Sequence, residues 1–134
     1  MAAKPLVLDS WAMMAFFENE PSAGQVANLI IDAHRHNQSL LMSVVNAGEL
    51  WYSVARGYSP AEADRLIEEL ANLRIDVVVA DWPITRQAAE YKSRGGISYA
   101  DCFAAALARL RKAELVTGDP ELQQLAKEVA IRWV

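Results

Sequence analysis

Five short apolar runs, separated by longer segments with helical patterns, are the feature that most limits the folds open to this chain. Each run is apolar on both faces, which is typical of strands in a parallel sheet covered on both sides. The runs are residues 6–8, 40–43, 75–79, 115–117 and 131–134. We therefore predict an α/β fold in the order β-α-α-β-α-α-β-α-β-α-β, with right-handed crossovers and about five parallel strands between two layers of helices.

Helix start and stop signals lie in the segments between these runs. Ser22 and Ser59 each stand three residues before a Gln or Glu, which is the spacing of a capping box. Pro60 suits the first helical position, where its missing N–H group costs nothing. Gly57 and Gly95 follow helical stretches, so we expect left-handed C-terminal caps at both.

The composition fits a single globular domain spanning residues 1–134. Hydrophobic residues make up 53% of the chain and charged residues 22%, and the formal net charge is −4. A protein that coats nucleic acid by broad electrostatic attraction is usually basic, so the charge argues against that class. It leaves a metal-dependent enzyme open, because metal-binding acids make such a site negative until the cation binds.

The cysteine content and the apolar runs indicate a reduced, cytoplasmic protein. Cys102 is the only cysteine, so it has no partner for an internal disulfide or a thiolate metal site. The apolar stretch near the N-terminus is too short for a secretory signal. The longest apolar runs also fall below the ~20 residues that cross a bilayer, so we expect no membrane partner.

Four acids fall where the predicted strands end or where a helix begins. Asp9 ends the first strand, Glu49 lies shortly after the second, Asp101 opens a helix and Asp119 follows the fourth strand. The carboxyl ends of parallel strands share one edge of a sheet, where ligands bind at the switch point of strand order. Clustered carboxylates repel one another, and a hard divalent cation relieves that cost. Ligands that are all oxygen favour Mg²⁺ or Mn²⁺ over Zn²⁺.

Three of these acids also have a purely structural interpretation. Asp9 and Asp119 could cap the helices that follow them, and Asp101 could complete a capping box that begins at Ser98. Glu49 is harder to explain in this way, because it lies in an apolar helix where an unpartnered carboxylate costs free energy. The occurrence of all four at one predicted edge favours the metal site.

Four sequence blocks together resemble the PIN-domain ribonucleases and, within them, the VapC-type toxins of bacterial toxin–antitoxin modules. The blocks are Val7-Leu8-Asp9-Ser10, Asn46-x-x-Glu49, Ser98-Tyr99-Ala100-Asp101 and Thr117-Gly118-Asp119-Pro120. The resemblance covers nearly the whole chain, and all four acidic positions are filled. It implies a PIN-like three-layer sandwich and a Mg²⁺- or Mn²⁺-dependent endoribonuclease that cleaves RNA.

The resemblance also implies roles for individual residues. The four acids would bind the metal and carry out catalysis, with Asp9 and Asp101 binding it most directly. The other two acids would act through waters or complete a second, weaker metal position. Asn46 and Thr117 would orient the acids, as outer-shell groups commonly do.

The same resemblance implies two protein partners. The segment 11–17 carries more large apolar groups than one buried stripe needs, and an exposed remainder would form a groove for a helix of the cognate antitoxin. Trp51 and Tyr52 would join that surface. The family likeness also suggests a homodimer.

Two rival functions share parts of this pattern. A receiver-like signalling domain would bind Mg²⁺ and use Asp81, after the third strand, as its phosphoacceptor, with Thr117 after the fourth. Against it, the sequence has no Lys beyond the fifth strand to hold a phosphoryl group. The second rival keeps the PIN fold but acts as a stand-alone nuclease without an antitoxin, or cleaves DNA. Metal-assisted hydrolysis attacks the phosphate, so the acids cannot distinguish these cases.

Overall fold

The computed structural model describes residues 3–134 and contains one five-stranded, all-parallel sheet in the order β3-β2-β1-β4-β5. The strands are β1 (Leu6–Leu8), β2 (Leu40–Ser43), β3 (Ile75–Val78), β4 (Glu114–Thr117) and β5 (Ile131–Trp133). The helices are α1 (Ser10–Phe17), α2 (Ala23–Arg35), α3 (Val44–Gly57), α4 (Pro60–Asn72), α5 (Trp82–Ser93), α6 (Tyr99–Leu110) and a 3₁₀ helix (Pro120–Leu125). None of the helices in this described part combines the length and hydropathy of a membrane span.

Two apolar cores lie on opposite faces of the sheet and make the fold a three-layer sandwich, as predicted. Leu6 and Leu8 of β1 pack with α1 to α4 on one face, whereas Val7 packs with α5, α6 and the 3₁₀ helix on the other. This alternation is the period of two that a strand imposes on its side chains. Eight consecutive residues of α6, Asp101 to Ala108, are buried, because this helix contacts α5 and α3 as well as the sheet.

The predicted strands are confirmed, but the connection from β3 to β4 differs from the prediction. We expected one helix there, and the structure has two, α5 and α6. Gly95 and Gly96 separate them with φ angles of 80° and 82°, a conformation that glycine adopts without a steric penalty. The second of these helices brings Asp101 to the sheet, so the break is important for the site.

The helix caps follow the sequence signals only in part. Ser59 accepts a hydrogen bond at 3.1 Å from the backbone N–H three residues later, and Pro60 occupies the first turn of α4, as expected. The predicted left-handed cap is confirmed at Gly95 but is wrong at Gly57, which is the last helical residue of α3. Ser22 makes no side-chain cap, because its backbone is already helical, with φ −83° and ψ −3°.

The strand order excludes the receiver-like alternative. A receiver has the order 2-1-3-4-5, which places its third strand beside the first. Here β3 is an edge strand, separated from β1 by β2. Asp81 therefore follows the wrong strand to meet Asp9, and its carboxylate instead caps α5 by accepting from the Ile84 N–H at 3.1 Å.

A close contact between Trp11 and Gly118 joins α1 to the loop after β4. A Cβ atom added to Gly118 would overlap the benzene part of the Trp11 indole. The neighbouring residues of that loop, Thr117 and Asp119, contain two of the side chains predicted to form the site. The packing of a tryptophan on a bare backbone thus fixes the position of this loop.

We expect Gly118→Ala to lower the free energy of unfolding by about 1–3 kcal/mol, because the added methyl group forces the Trp11 ring out of place. Gly48→Ala is the matched control. A Cβ at Gly48 meets nothing within 4 Å in the middle of α3, so this change should raise stability by about 0.5–1 kcal/mol. Urea unfolding of both variants measures the difference. Equal stability of the two would contradict the contact.

Candidate metal centre

Two of the predicted acids cap helices at the carboxyl end of the sheet, and a third lies in the first turn of a helix that a serine caps. Asp9 follows β1 and accepts a hydrogen bond from the Ala12 N–H at 2.8 Å, which caps α1. Asp119 follows β4 and caps the 3₁₀ helix through a 3.0 Å bond from the Glu121 N–H. Asp101 lies in the first turn of α6, where its N–H donates to Ser98 at 3.3 Å. The capping interpretation is therefore correct for Asp9 and Asp119, whereas Ser98 caps α6 and its own N–H donates to Glu121. Capping does not compete with convergence, because these helix starts hold the acids at one rim.

Glu49 reaches the same rim from α3. The Ser43 hydroxyl caps this helix directly after β2 by accepting from the Val45 N–H at 3.2 Å. One turn further along, the Glu49 side chain accepts a hydrogen bond from the hydroxyl of Ser10, the residue after Asp9. Strands β1 and β2 are neighbours, so the helices that follow them bring Glu49 and Asp9 together.

These elements surround a cleft of about 450 Å³. Five of its ten lining residues carry carboxylates, and none of the ten is a lysine or an arginine. The lining residues are Ser10, Trp11, Met14, Glu20, Glu49, Ser53, Ser98, Asp101, Asp119 and Glu121. Asp9 is fully buried beside them. The cleft is therefore strongly negative.

Burial and mutual repulsion raise the pKa values of two of the acids. Loss of water around Asp9 is the main cause that raises its pKa from 3.8 to about 7. The nearby Thr117 hydroxyl and the Ala12 N–H oppose this shift, and the charges of Asp119 and Glu49 add to it. The pKa of Asp101 is raised to about 8. Burial is the largest cause, and the negative charge of Asp119 is the next. Without a cation, both carboxyls thus favour the protonated form near neutral pH.

The donor set fits a hard divalent cation. Asp9 Oδ2 and Asn46 Oδ1 are buried with no hydrogen-bond partner among residues 3–134. An unsatisfied buried polar atom of this kind costs about 1–3 kcal/mol, and more when it is charged. Carboxylate oxygens of Asp101, Asp119 and Glu121 lie within 4.8 Å of one another, a spacing at which one ion can contact all three. Oxygen ligands without a thiolate or imidazole suit Mg²⁺ and Mn²⁺.

Asn46 and Thr117, which we predicted to orient the acids, both contact the backbone at the site. The Asn46 amide donates to the carbonyl oxygen of Ala100 at 3.2 Å and so ties α3 to the residue before Asp101. The Thr117 hydroxyl accepts from the Asp119 N–H at 3.1 Å. Each of these two side chains thus fixes the backbone next to one acid.

Glu121 is a candidate ligand that the sequence analysis missed. It faces Asp101 and Asp119, and its carboxylate accepts from the Ser98 N–H at 3.3 Å. The available signal was its position two residues after Asp119. In an α-helix that spacing would point the two side chains apart, but Asp119 is a cap with an extended backbone before a 3₁₀ turn, and both acids face the cleft.

The model of the PIN domain family matches residues 6–128, which is nearly the whole chain. The chain belongs to the PIN-domain family. The resemblance inferred from the four sequence blocks is thereby confirmed at the level of the family. All four blocks lie within the matched range, and the five-stranded parallel sheet is the PIN-like fold that the resemblance implied.

Solved structures of VapBC proteins share this PIN fold along almost their entire length. VapBC2 from Rickettsia felis, bound to a DNA fragment from its promoter, has a TM-score of 0.78 at 16% identity, covering 96% of this chain and 98% of that one. VapC20 from Mycobacterium tuberculosis, described as a Sarcin-Ricin loop cleaving toxin, has a TM-score of 0.73 at 16% identity, covering 95% and 98%. VapBC-1 from nontypeable Haemophilus influenzae has a TM-score of 0.72 at 21% identity, covering 95% and 96%. No curated protein sequence matches the chain.

We expect the metal-free protein to lose stability as the pH rises from about 4 to 8. The folded pKa of Asp9 is about 7 and that of Asp101 about 8, whereas the unfolded value is 3.8, so the folded state binds more protons in this window. Each carboxyl then costs up to about 1.4 kcal/mol per pH unit. Unfolding with urea in chelator at pH 5 and pH 8 measures the slope, and Mn²⁺ should restore stability at pH 8.

Asp9→Asn keeps an oxygen for the Ala12 N–H but carries no charge, so it should flatten this pH profile and stabilise the metal-free protein at pH 8. Asp76→Asn, at an exposed position of β3, is the control and should leave the profile unchanged. Equal unfolding free energies of the unmodified protein at pH 5 and pH 8 in chelator would show that the acids are not coupled in this way.

Proposed function

We propose that the protein is a Mg²⁺- or Mn²⁺-dependent endoribonuclease in which residues 1–134 form a single nuclease domain. The observation that carries the proposal is the cleft at the carboxyl end of the sheet. Its five carboxylates lie beside the buried Asp9, and no lysine or arginine is among the ten residues that line it. Such a cleft repels a phosphodiester unless a cation occupies it.

We assign the acids to metal binding or to water orientation according to their burial. Asp9 and Asp101 are the most buried of the four predicted acids, and their raised pKa values mean that they ionise readily only beside a cation, so they hold it. A bound divalent ion supplies charge neutralisation at the phosphate and an acidic water. Glu49 and Asp119 are partly exposed in the cleft and would orient the attacking water. Thr117 and Asn46 keep the neighbouring backbone in place.

The similarity to VapC20 favours RNA over DNA, because that protein is described as cleaving the Sarcin-Ricin loop. The VapC-type relatives support the role of a toxin in a type II toxin–antitoxin system. A cytoplasmic location follows from an RNA substrate of this kind and agrees with the single, buried and unpaired Cys102.

We expect the purified protein to cleave cellular RNA in the presence of Mg²⁺ or Mn²⁺ and to stop when a chelator is added. Asp101→Asn removes a charge that holds the cation and should lower the cleavage rate at least about 100-fold with the fold intact. Asp81→Asn is the matched control, because asparagine can still cap α5 at a distance from the cleft, and its rate should equal that of the unmodified protein. Sequencing of the new 5′ ends identifies the target. Undiminished metal-dependent cleavage by Asp101→Asn would refute the assignment.

The predicted partner groove corresponds to a second depression, of about 190 Å³, between α1 and the α3–α4 pair. Its apolar lining comes from Met14, Phe17, Val54 and Leu66, and Tyr58 stands at its border with 70% of its surface exposed. Met14 also lines the acidic cleft, so one segment could cover both. Similar solved structures include VapBC2 of Rickettsia felis and a toxin–antitoxin complex from Klebsiella pneumoniae. We therefore propose that an antitoxin helix binds here.

The two further aromatics assigned to this surface differ in their surroundings. Trp51 is half-buried and donates from its indole N–H to Asp64 of α4 at 2.9 Å, so it joins the two helices. Tyr52 is exposed beneath the Arg56 guanidinium, 5.1 Å from the ring centre, and is the one available to a partner. A homodimer is proposed from the family likeness alone.

Tyr58→Ala should weaken the binding of the protein encoded by the neighbouring reading frame at least about tenfold, since exposed aromatic residues at an interface are frequent hot spots. Its RNA cleavage in the absence of that partner should not change. Val79→Ala provides a control at equal exposure, 71%, directly after β3 and outside the residues that line the depression. Calorimetric titration measures the affinity of both variants for the partner. Full affinity of Tyr58→Ala would place the partner elsewhere, and the absence of any binding partner would favour a stand-alone PIN nuclease.

A further inference from the structure

Trp133 stands in line with two residues of the metal centre. In the sheet, Leu8 pairs with Val116, and the backbone N–H of Asp9 continues this pairing to the Val116 carbonyl at 3.5 Å. Asp9 is thus level with Thr117, and Thr117 pairs with Trp133 of β5. Neighbouring strands lie about 4.8 Å apart, so the backbone of Trp133 is two strands, or about 10 Å, from the backbone of Asp9.

The three side chains of this row also lie on the same face of the sheet. Leu115 and Ile131 pack in the core beneath α5 and α6, and residues two positions along a strand share a face. Thr117 and Trp133 therefore face the α6 side, and so does Asp9, two residues after Val7. The intervening Arg132 points to the opposite face and pairs with Glu114 at 2.8 Å.

Trp133 lies on an open depression of about 560 Å³ next to the acidic cleft. Gly118, Pro120 and Gln123 line the rest of the depression. Asp119, which lies between Gly118 and Pro120 in the sequence, lines the acidic cleft. Residues i and i+3 of a 3₁₀ helix eclipse each other, so Pro120 and Gln123 present one wall. The indole keeps 41% of its surface exposed, and the Gln123 amide makes no hydrogen bond to residues 3–134.

We propose that this depression is a nucleobase subsite, in which Trp133 stacks a base adjacent to the scissile phosphate and the Gln123 amide contacts the edge of that base. The proposal rests on the endoribonuclease function above. A flat indole beside a proline ring and a free amide offers what an unpaired base needs, which is an apolar plane and a hydrogen-bonding group. The subsite would select single-stranded RNA, because a paired base cannot expose its face.

Charge and continuity favour a base over a protein segment at this place. The depression is lined by four residues without a charge, so it has no side chain that would hold a phosphate or an acidic peptide. It is continuous with the cleft through the Gly118–Asp119–Pro120 backbone. An RNA strand whose phosphate occupies the cleft therefore brings its next base over Trp133, whereas a partner helix would find its long apolar groove on the α1 side.

The test measures binding of a fluorescently labelled single-stranded RNA by anisotropy in Mg²⁺. Loss of one stacked base by Trp133→Ala should weaken binding roughly 5- to 150-fold, and Trp133→Phe should recover part of it. Trp82→Ala is the matched control, because Trp82 is also exposed, at 68%, but follows the opposite edge strand β3. With an RNA made abasic throughout, Trp133→Ala and the unmodified protein should bind equally. Circular dichroism checks the fold of each variant.

In cleavage assays, Trp133→Ala should raise KM by a similar factor with kcat nearly unchanged. Equal RNA binding by Trp133→Ala and the unmodified protein would overturn the subsite, and so would an equal loss on abasic RNA. A normal RNA affinity combined with a change of oligomeric mass would assign Trp133 to a protein contact instead. RNA binding that depends on Trp133 without any metal-dependent cleavage would retain the subsite and refute the nuclease function.

Discussion

The burial of the Asp9 carboxylate among other carboxylates is the constraint on which the rest of the structure depends. One oxygen of this side chain caps α1, and the other is buried without a partner while Glu49, Asp101 and Asp119 surround it. Protonation or a cation must relieve this arrangement, and oxygen ligands of this kind suit a hard divalent ion. Without a metal ion, the clustered carboxyls destabilise the fold, so the apolar layers on both sides of the sheet must supply the compensating stability.

Local folding and the candidate metal site use the same side chains in this protein. Asp9 and Asp119 begin helices that the chain needs for its topology, and their capping oxygens fix the direction in which the remaining oxygens point. The Thr117 hydroxyl connects the two, since it accepts from the Asp119 N–H and lowers the pKa of Asp9. A site built in this way is preorganised, because the ligand positions follow from secondary structure and not from mobile loops.

The sequence was sufficient to predict the sheet and the convergence of the acids, because both follow from local rules. Runs that are apolar on both faces indicate buried parallel strands, and strand ends share an edge wherever the strands lie in the sheet. The order of the strands, which excluded Asp81, depends on long-range packing that no local pattern encodes. Glu121 was missed because its orientation depends on a 3₁₀ turn. The separation of α5 from α6 was also missed, because it depends on the backbone angles at Gly95 and Gly96.

Several arginines of the described chain pair with glutamates away from the cleft, so under the proposed function RNA recognition at the cleft depends on other forces. Arg94 and Arg109 both bind Glu128, Arg65 binds Glu62 and Arg132 binds Glu114. These pairs are exposed and individually weak, so a polyanion could compete for them, but the cleft itself has no positive side chain to offer. Under the proposed nuclease function, affinity at the cutting site then comes from the metal ion and from uncharged contacts beside it. The exposed Trp133 and the free Gln123 amide, which line a depression together with the two neighbours of Asp119, can supply such contacts.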